Sequence, residues 1–156
     1  MRECLVLSAA MIFLATPRLW AGSTTLFQRG DQGGVIVPFM IDGRGPFVML
    51  LDTGASHSAI TEAVVAATGA RAVARSNVIS PTDTTVRTIV AIEQLSLGPH
   101  SVDLILASVV PDGTFDAGGK IMGLIGQDVL AWLRYTIDFR RGEIEWHDRA
   151  PARVDG

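Results

Sequence analysis

From position 35 onward, short apolar runs alternate with clusters of Gly, Pro, Asp and Ser, the rhythm of strands joined by turns. Val35 to Ile41 predicts a strand, and Asp42-Gly43-Arg44-Gly45 a turn in which glycine supplies positive φ. Phe47 to Leu51 predicts a second strand, apolar on both faces and therefore central. A short helix follows, with Thr61 at its N-cap, Glu62 in the first turn, Ala63 to Thr68 as its body and Gly69 as its stop. Residues 71–80 and 85–97 predict two strands around Ser80-Pro81-Thr82-Asp83-Thr84, and Leu97-Gly98-Pro99-His100 turns the chain into a strand from Val102 to Val110. A glycine-rich loop runs from Pro111 to Lys120. Ile121 to Ile125 predicts a strand, Gln127 to Leu133 a helix, and Tyr135–Phe139 with Glu143–His147 a hairpin across Arg140-Arg141-Gly142. Many short strands with only two short helices describe a small β barrel or sandwich.

The first residues break this rhythm. Arg2 is followed by an apolar run from Leu5 to Ala15, then Pro17 and the small residues Ala21, Gly22 and Ser23, which together describe a secretory signal peptide over residues 1–23. The run is about 11 residues, short of the roughly 20 that span a bilayer as a helix. Cleavage after Ser23, or after Ala21, would place the mature protein in the periplasm or outside the cell. The alternative is an uncleaved membrane anchor, the one case in which a membrane becomes a partner. Residues 24–34 are expected to form a loosely held arm, 35–147 one domain, and 148–156 a polar tail.

Composition narrows the function. The 156 residues carry a formal charge of -3, and loss of residues 1–23 removes Arg2, Glu3 and Arg18, leaving the chain one unit more negative. Such a surface has no basic field to hold nucleic acid. Cys4 is the only cysteine and lies in the leader, so the mature chain has neither disulfide nor thiol chemistry. His57, His100 and His147 lack metal-ligand spacing, and no metal or cofactor is expected.

The chemistry concentrates in one stretch. Val48-Met49-Leu50-Leu51 leads into Asp52-Thr53-Gly54-Ala55-Ser56, which sets a carboxylate at the mouth of an apolar core. Gly54 allows another backbone to come close. Much later, Leu124-Ile125-Gly126 is an apolar strand that breaks at glycine into a helix. These two segments, 72 positions apart from Asp52 to Leu124, resemble the retropepsin-like aspartic proteases, nearer to the bacterial and cellular single-lobe type than to the viral one. The resemblance covers about residues 35–147. It implies a mostly β fold, a single-lobe closed barrel with one or two short helices. It implies an aspartic endopeptidase acting on peptides or proteins, with Asp52 as the catalytic carboxylate. Thr53, Gly54, Ala55 and Ser56 would complete the active loop, Thr53 bonding across a dimer axis and Gly54 offering its carbonyl to substrate. Leu124, Ile125 and Gly126 would support that loop from beneath. Pro81, Thr82, Asp83 and Thr84 fall at the tip of the flap that closes over substrate.

That chemistry needs two aspartates sharing one proton around a water. The sequence has one Asp-Thr-Gly, so an active enzyme is expected to be a homodimer in which each copy gives its Asp52. A peptide-binding module on the same fold, without hydrolysis, is the rival reading. The other candidate groups have plainer expectations. Asp128 is a helix N-cap, Asp138 a paired or structural acid, and His57 a flank packed on the loop. Trp132, Trp146 and Phe139 are core. Asp112 and Asp116 lack the alternation and terminal glutamate of a calcium loop.

Overall fold

The computed structural model describes residues 24–30, 33–79, 84–98 and 100–147. The expected leader, Asp31 and Gln32, Ser80 to Asp83, Pro99 and the polar tail lie outside the described residues.

Strand β3 (Val35–Ile41) buries every second residue, so Val35, Val37, Phe39 and Ile41 face the core. Asp42 and Gly43 take φ of 49° and 72°, the left-handed pair of a tight hairpin turn. The turn is shorter than the sequence implies, because Arg44 already pairs with Ile41 at the start of β4 (Arg44–Leu51). Strand β4 is central as expected, antiparallel to β3 on one side and parallel to β9 (Gly123–Ile125) on the other.

A three-residue strand, β5 (Ala59–Thr61), which the sequence pattern does not announce, then leads into helix α1 (Glu62–Thr68). Gly69 closes the helix in the left-handed region, with its N–H bonded to the Val65 carbonyl. Thr61 occupies the N-cap position, but its hydroxyl caps nothing; Asp112, from a distant loop, accepts the Ala63 N–H at 3.0 Å instead. The long strands β6 (Arg71–Ile79), β7 (Thr84–Leu97) and β8 (His100–Val110) form a meander. The strand expected from Ile121 starts only at Gly123, and helix α2 (Gln127–Leu130) ends three residues earlier than expected.

The main sheet runs β2-β3-β4-β9-β5-β8-β7-β6, where β2 is Gln28–Arg29. An added pairing of Met40 and Ile41 with Ser96 and Leu95 joins β3 to β7 and bends the sheet into a ring of strands. Phe39, Ile41, Met49, Ile60, Val90, Ile92, Leu95 and Ile125 fill its interior. Beside it, β1 (Thr24–Leu26), β11 (Glu143–His147) and β10 (Arg134–Asp138) make a second, three-stranded sheet.

The reading of residues 24–34 as a loose arm is corrected for residues 24–29, which pair in both sheets. Thr24–Leu26 pairs along β11, Gln28 and Arg29 pair with β3, and the buried Thr25 hydroxyl accepts the Trp146 indole N–H at 2.8 Å. Trp146 is core, as expected. Trp132 and Phe139 are not: they are 57% and 48% exposed, and Phe139 packs edge-on against Phe27 near Arg29. Among the described residues no helix is long and apolar enough to cross a membrane.

Candidate active site

The site begins where β4 runs out. Met49, Leu50 and Leu51 pair in parallel with Gly123, Leu124 and Ile125, and the Asp52 N–H extends that ladder by bonding the Ile125 carbonyl at 3.0 Å. Asp52 thus leaves the sheet from a fixed point. The chain then turns sharply: Ala55 N–H donates to the Asp52 carbonyl at 3.3 Å, and Gly54 N–H donates to Asp52 Oδ1 at 2.8 Å. One oxygen of the carboxylate is therefore oriented by its own loop. Asp52 and Ala55 are half-buried, while Thr53, Gly54 and Ser56 are exposed.

The support beneath is built from the second motif. Ile125 and Gly126 are buried and Leu124 half-buried beneath the loop. Gly126 lies under the loop so closely that a Cβ there would sit 2.8 Å from the His57 carbonyl carbon and 2.9 Å from the Ala55 and His57 oxygens. Gly123 is equally confined, 2.9 Å from the Ala59 carbonyl oxygen. Glycine at both positions is what allows β9 to slide between β4 and β5.

Helix α2 grips the loop from the same side. Gln127 N–H donates to the Ala55 carbonyl at 2.8 Å and Gln127 Nε2 to the Thr53 carbonyl at 2.9 Å. Asp128 is not the N-cap; that position is Gly126. Its carboxylate instead accepts the Ser58 N–H at 2.9 Å and the Ser58 hydroxyl at 2.7 Å, and Ser58 Oγ accepts the Gly126 N–H at 3.1 Å. His57 is exposed, with Nδ1 3.2 Å from Ser56 Oγ, a flank of the loop as expected. Sequence spacing alone missed the Ser58–Asp128 and Gln127–Thr53 contacts, because their partners lie 70 and 74 residues apart.

Of the four residues expected at a flap tip, Thr84 opens β7 opposite Ile79, whereas Pro81, Thr82 and Asp83 lie outside the described residues. Strand β8 joins β7 only from Ile89 onward, so Ala74–Ile79 and Thr84–Thr88 project as a two-stranded ribbon. Ile79 and Val86 on it are 81% and 52% exposed.

Two further acids serve the backbone. Asp138 Oδ1 accepts the Arg140 and Arg141 N–H groups and closes the last hairpin, a structural acid as expected. Asp116 organises the loop before β9: the Ile121 N–H, then the Lys120 N–H, hold its carboxyl below the usual carboxylate range. A hollow of 270 Å³ lies over the second sheet, lined by Thr24, Thr136, Asp138, Arg141, Glu143 and Glu145, none of them from the Asp52 loop. Asp52 itself is half-buried, with exposed Thr53 and Gly54 following it.

Comparison with known proteins agrees with this geometry. Residues 37–129, more than half of the chain, match the family model described as aspartyl protease, a span that contains both Asp52 and Leu124-Ile125-Gly126. Among solved structures, a retropepsin-like aspartic protease from Rickettsia conorii superimposes with a TM-score of 0.56 at 15% identity, over 79% of this chain and 89% of that one. A retroviral protease-like domain from Leishmania major has a TM-score of 0.48 at 16% identity, over 72% of this chain and 93% of that one. No curated protein matches the sequence. With a retropepsin-like fold, one Asp-Thr-Gly loop and its glycine support in register, this chain belongs to the aspartyl protease family.

Proposed function

We propose that the protein is an aspartic endopeptidase whose active centre forms between two copies of the chain, each contributing Asp52. The observation that carries this reading is the Asp52 carboxylate, held by Gly54 N–H at the open end of a braced loop, in a chain with a single Asp-Thr-Gly. Two carboxylates about 3 Å apart cannot both ionise cheaply, so the pair holds one proton between them. The ionised Asp52 takes a proton from the bound water as it attacks the scissile carbonyl. The protonated one donates to the carbonyl oxygen as the tetrahedral intermediate forms. Collapse of that intermediate returns a proton to the leaving nitrogen and breaks the C–N bond.

Thr53 and Gly54, exposed beside Asp52, lie where a second copy and a peptide backbone would meet the loop. An extended peptide would lie between the loops and the β6–β7 ribbon and bind through main-chain hydrogen bonds, as an added strand. The ribbon would close over it and exclude water. The leader-like residues 1–23 support action in the periplasm or outside the cell, after their removal.

Two variants test the reading. Asp52→Asn should keep the fold and abolish peptide cleavage. Asp52→Asn added in excess should also poison the parent enzyme, because a mixed dimer has one carboxylate. Intact peptides with the folded parent, bound but uncut, would favour the peptide-binding alternative.

A further inference from the structure

The loop that carries Asp52 is anchored at its start by the sheet and along its length by helix α2, through backbone bonds from Gln127 N–H to the Ala55 carbonyl (2.8 Å) and from Asp128 N–H to the Ser56 carbonyl (3.2 Å), and through the side chains of the same two residues. The β4–β9 ladder fixes its start through Asp52 N–H and Ile125 O at 3.0 Å. Gln127 Nε2 holds the Thr53 carbonyl at 2.9 Å, one residue after the carboxylate. Asp128 holds Ser58 by both N–H and Oγ, at 2.9 and 2.7 Å, at the far end of the loop. Ser58 is 1% exposed, and its hydroxyl is fully engaged, donating to Asp128 and accepting from Gly126 N–H. Val129 and Leu130 bury the other side of the turn in the core, which makes it a rigid seat. Between these anchors lies Gly54, whose N–H orients Asp52 Oδ1.

We infer that Asp128 is a positioning residue: through Ser58 it sets the loop so that the Gly54 N–H and the Asp52 carboxylate meet, and Gln127 does the same from the Thr53 side. Asp128 touches no reacting atom. Its effect passes through the backbone from Ser58 to Gly54, and a carboxylate displaced by about 1 Å can cost about 100-fold in rate. The kinetic part of this inference rests on the protease reading above; the spectroscopic part does not.

The experiment measures peptide cleavage and the amide resonances of the purified protein and of Asp128→Ala, Asp128→Asn, Ser58→Ala and the Ser58→Ala/Asp128→Ala double variant. Asp128→Ala should lower kcat by about 100-fold with KM kept within about threefold, the signature of lost positioning rather than lost binding. Asp128→Asn should recover at least about tenfold of that loss, because its Oδ1 can still accept the Ser58 N–H and its amide can donate to Ser58 Oγ. The double variant should be no worse than about threefold below Asp128→Ala, since both changes break one unit. In each folded variant that loses rate, the Gly54 amide resonance should move while the core methyl signals stay in place.

If Asp128→Ala does not fold, Asp128→Asn and Ser58→Ala carry the same comparison. A folded Asp128→Ala or Ser58→Ala with full kcat and an unmoved Gly54 resonance would overturn the inference. So would a rate loss that merely follows the folded fraction. If the parent shows no Asp52-dependent cleavage, the protease reading fails on its own, and the Gly54 resonance alone decides whether Asp128 sets the loop.

Discussion

Asp52 is useful only because small residues around it let three backbones converge. Gly126 is the clearest case. The space for a Cβ there is taken by the His57 carbonyl carbon and the Ala55 and His57 oxygens at 2.8–2.9 Å, all of them backbone atoms that cannot swing aside. Gly126→Ala should therefore cost about 2–3 kcal/mol by forcing the loop and β9 apart, read as a lower urea midpoint with unchanged slope. A midpoint equal to that of the parent would mean the loop yields without cost. The residues to which the proposal gives the chemistry are also the ones the sequence displays best. Asp52-Thr53-Gly54 follows an apolar strand and Gly126 ends another, so local pattern marks both. Asp128 and Gln127 are visible as letters but not as roles, because their partners Ser58 and Thr53 come from the other end of the domain.

At the scale of elements, strands with alternating burial or glycine-bounded turns were legible, and short or remotely supported ones were not. β3 shows the rule, with Val35, Val37, Phe39 and Ile41 inward. β5 breaks it: three residues between an active loop and a helix leave no period to read, and only pairing with β8 and β9 makes it a strand. Helix α1 has its limits written in Glu62 and Gly69, yet its start is capped by Asp112 rather than by Thr61.

The loop from Pro111 to Lys120 has the same character, since its glycines suggest freedom while Asp116 fastens it. The folded Asp116 carboxyl lies below its ordinary value of 3.8, mainly through the Ile121 N–H. Its ionised form is the one that folding favours. That contribution is complete above the ordinary value and is lost as pH falls through the lowered one. The loop should thus stay closed in mildly acidic assays. An NMR titration should place the Asp116 carboxyl midpoint below 3.8, with the Ile121 amide signal shifting at the same pH. A midpoint at or above 3.8 would contradict this assignment.

At the scale of the whole molecule, the ring of strands carries the Asp52 loop at the end of β4, and the first and last described strands share one small sheet. The small sheet holds Thr24–Leu26 and the main sheet Gln28 and Arg29, so residues 24–29 are part of the fold and not an arm: Thr25 and Phe27 are buried against Trp146 and the last hairpin. Thr25→Val should leave the buried Trp146 indole N–H without its acceptor and cost about 1–3 kcal/mol in chemical denaturation. No measurable cost would show that water reaches the indole. The pairing of β1 with β11 also means that the first described strand is engaged within its own chain.

The central claim is that Asp52 from each of two chains forms one catalytic pair. The measurement that meets it most directly is a peptide-library digest read by mass spectrometry across about pH 3.5 to 7.5. It compares the parent, Asp52→Asn and an equimolar mixture of the two. The account predicts cleavage by the parent, none by the folded Asp52→Asn, and a mixture that cleaves less than its share of parent subunits. Equal cleavage by parent and Asp52→Asn would contradict it.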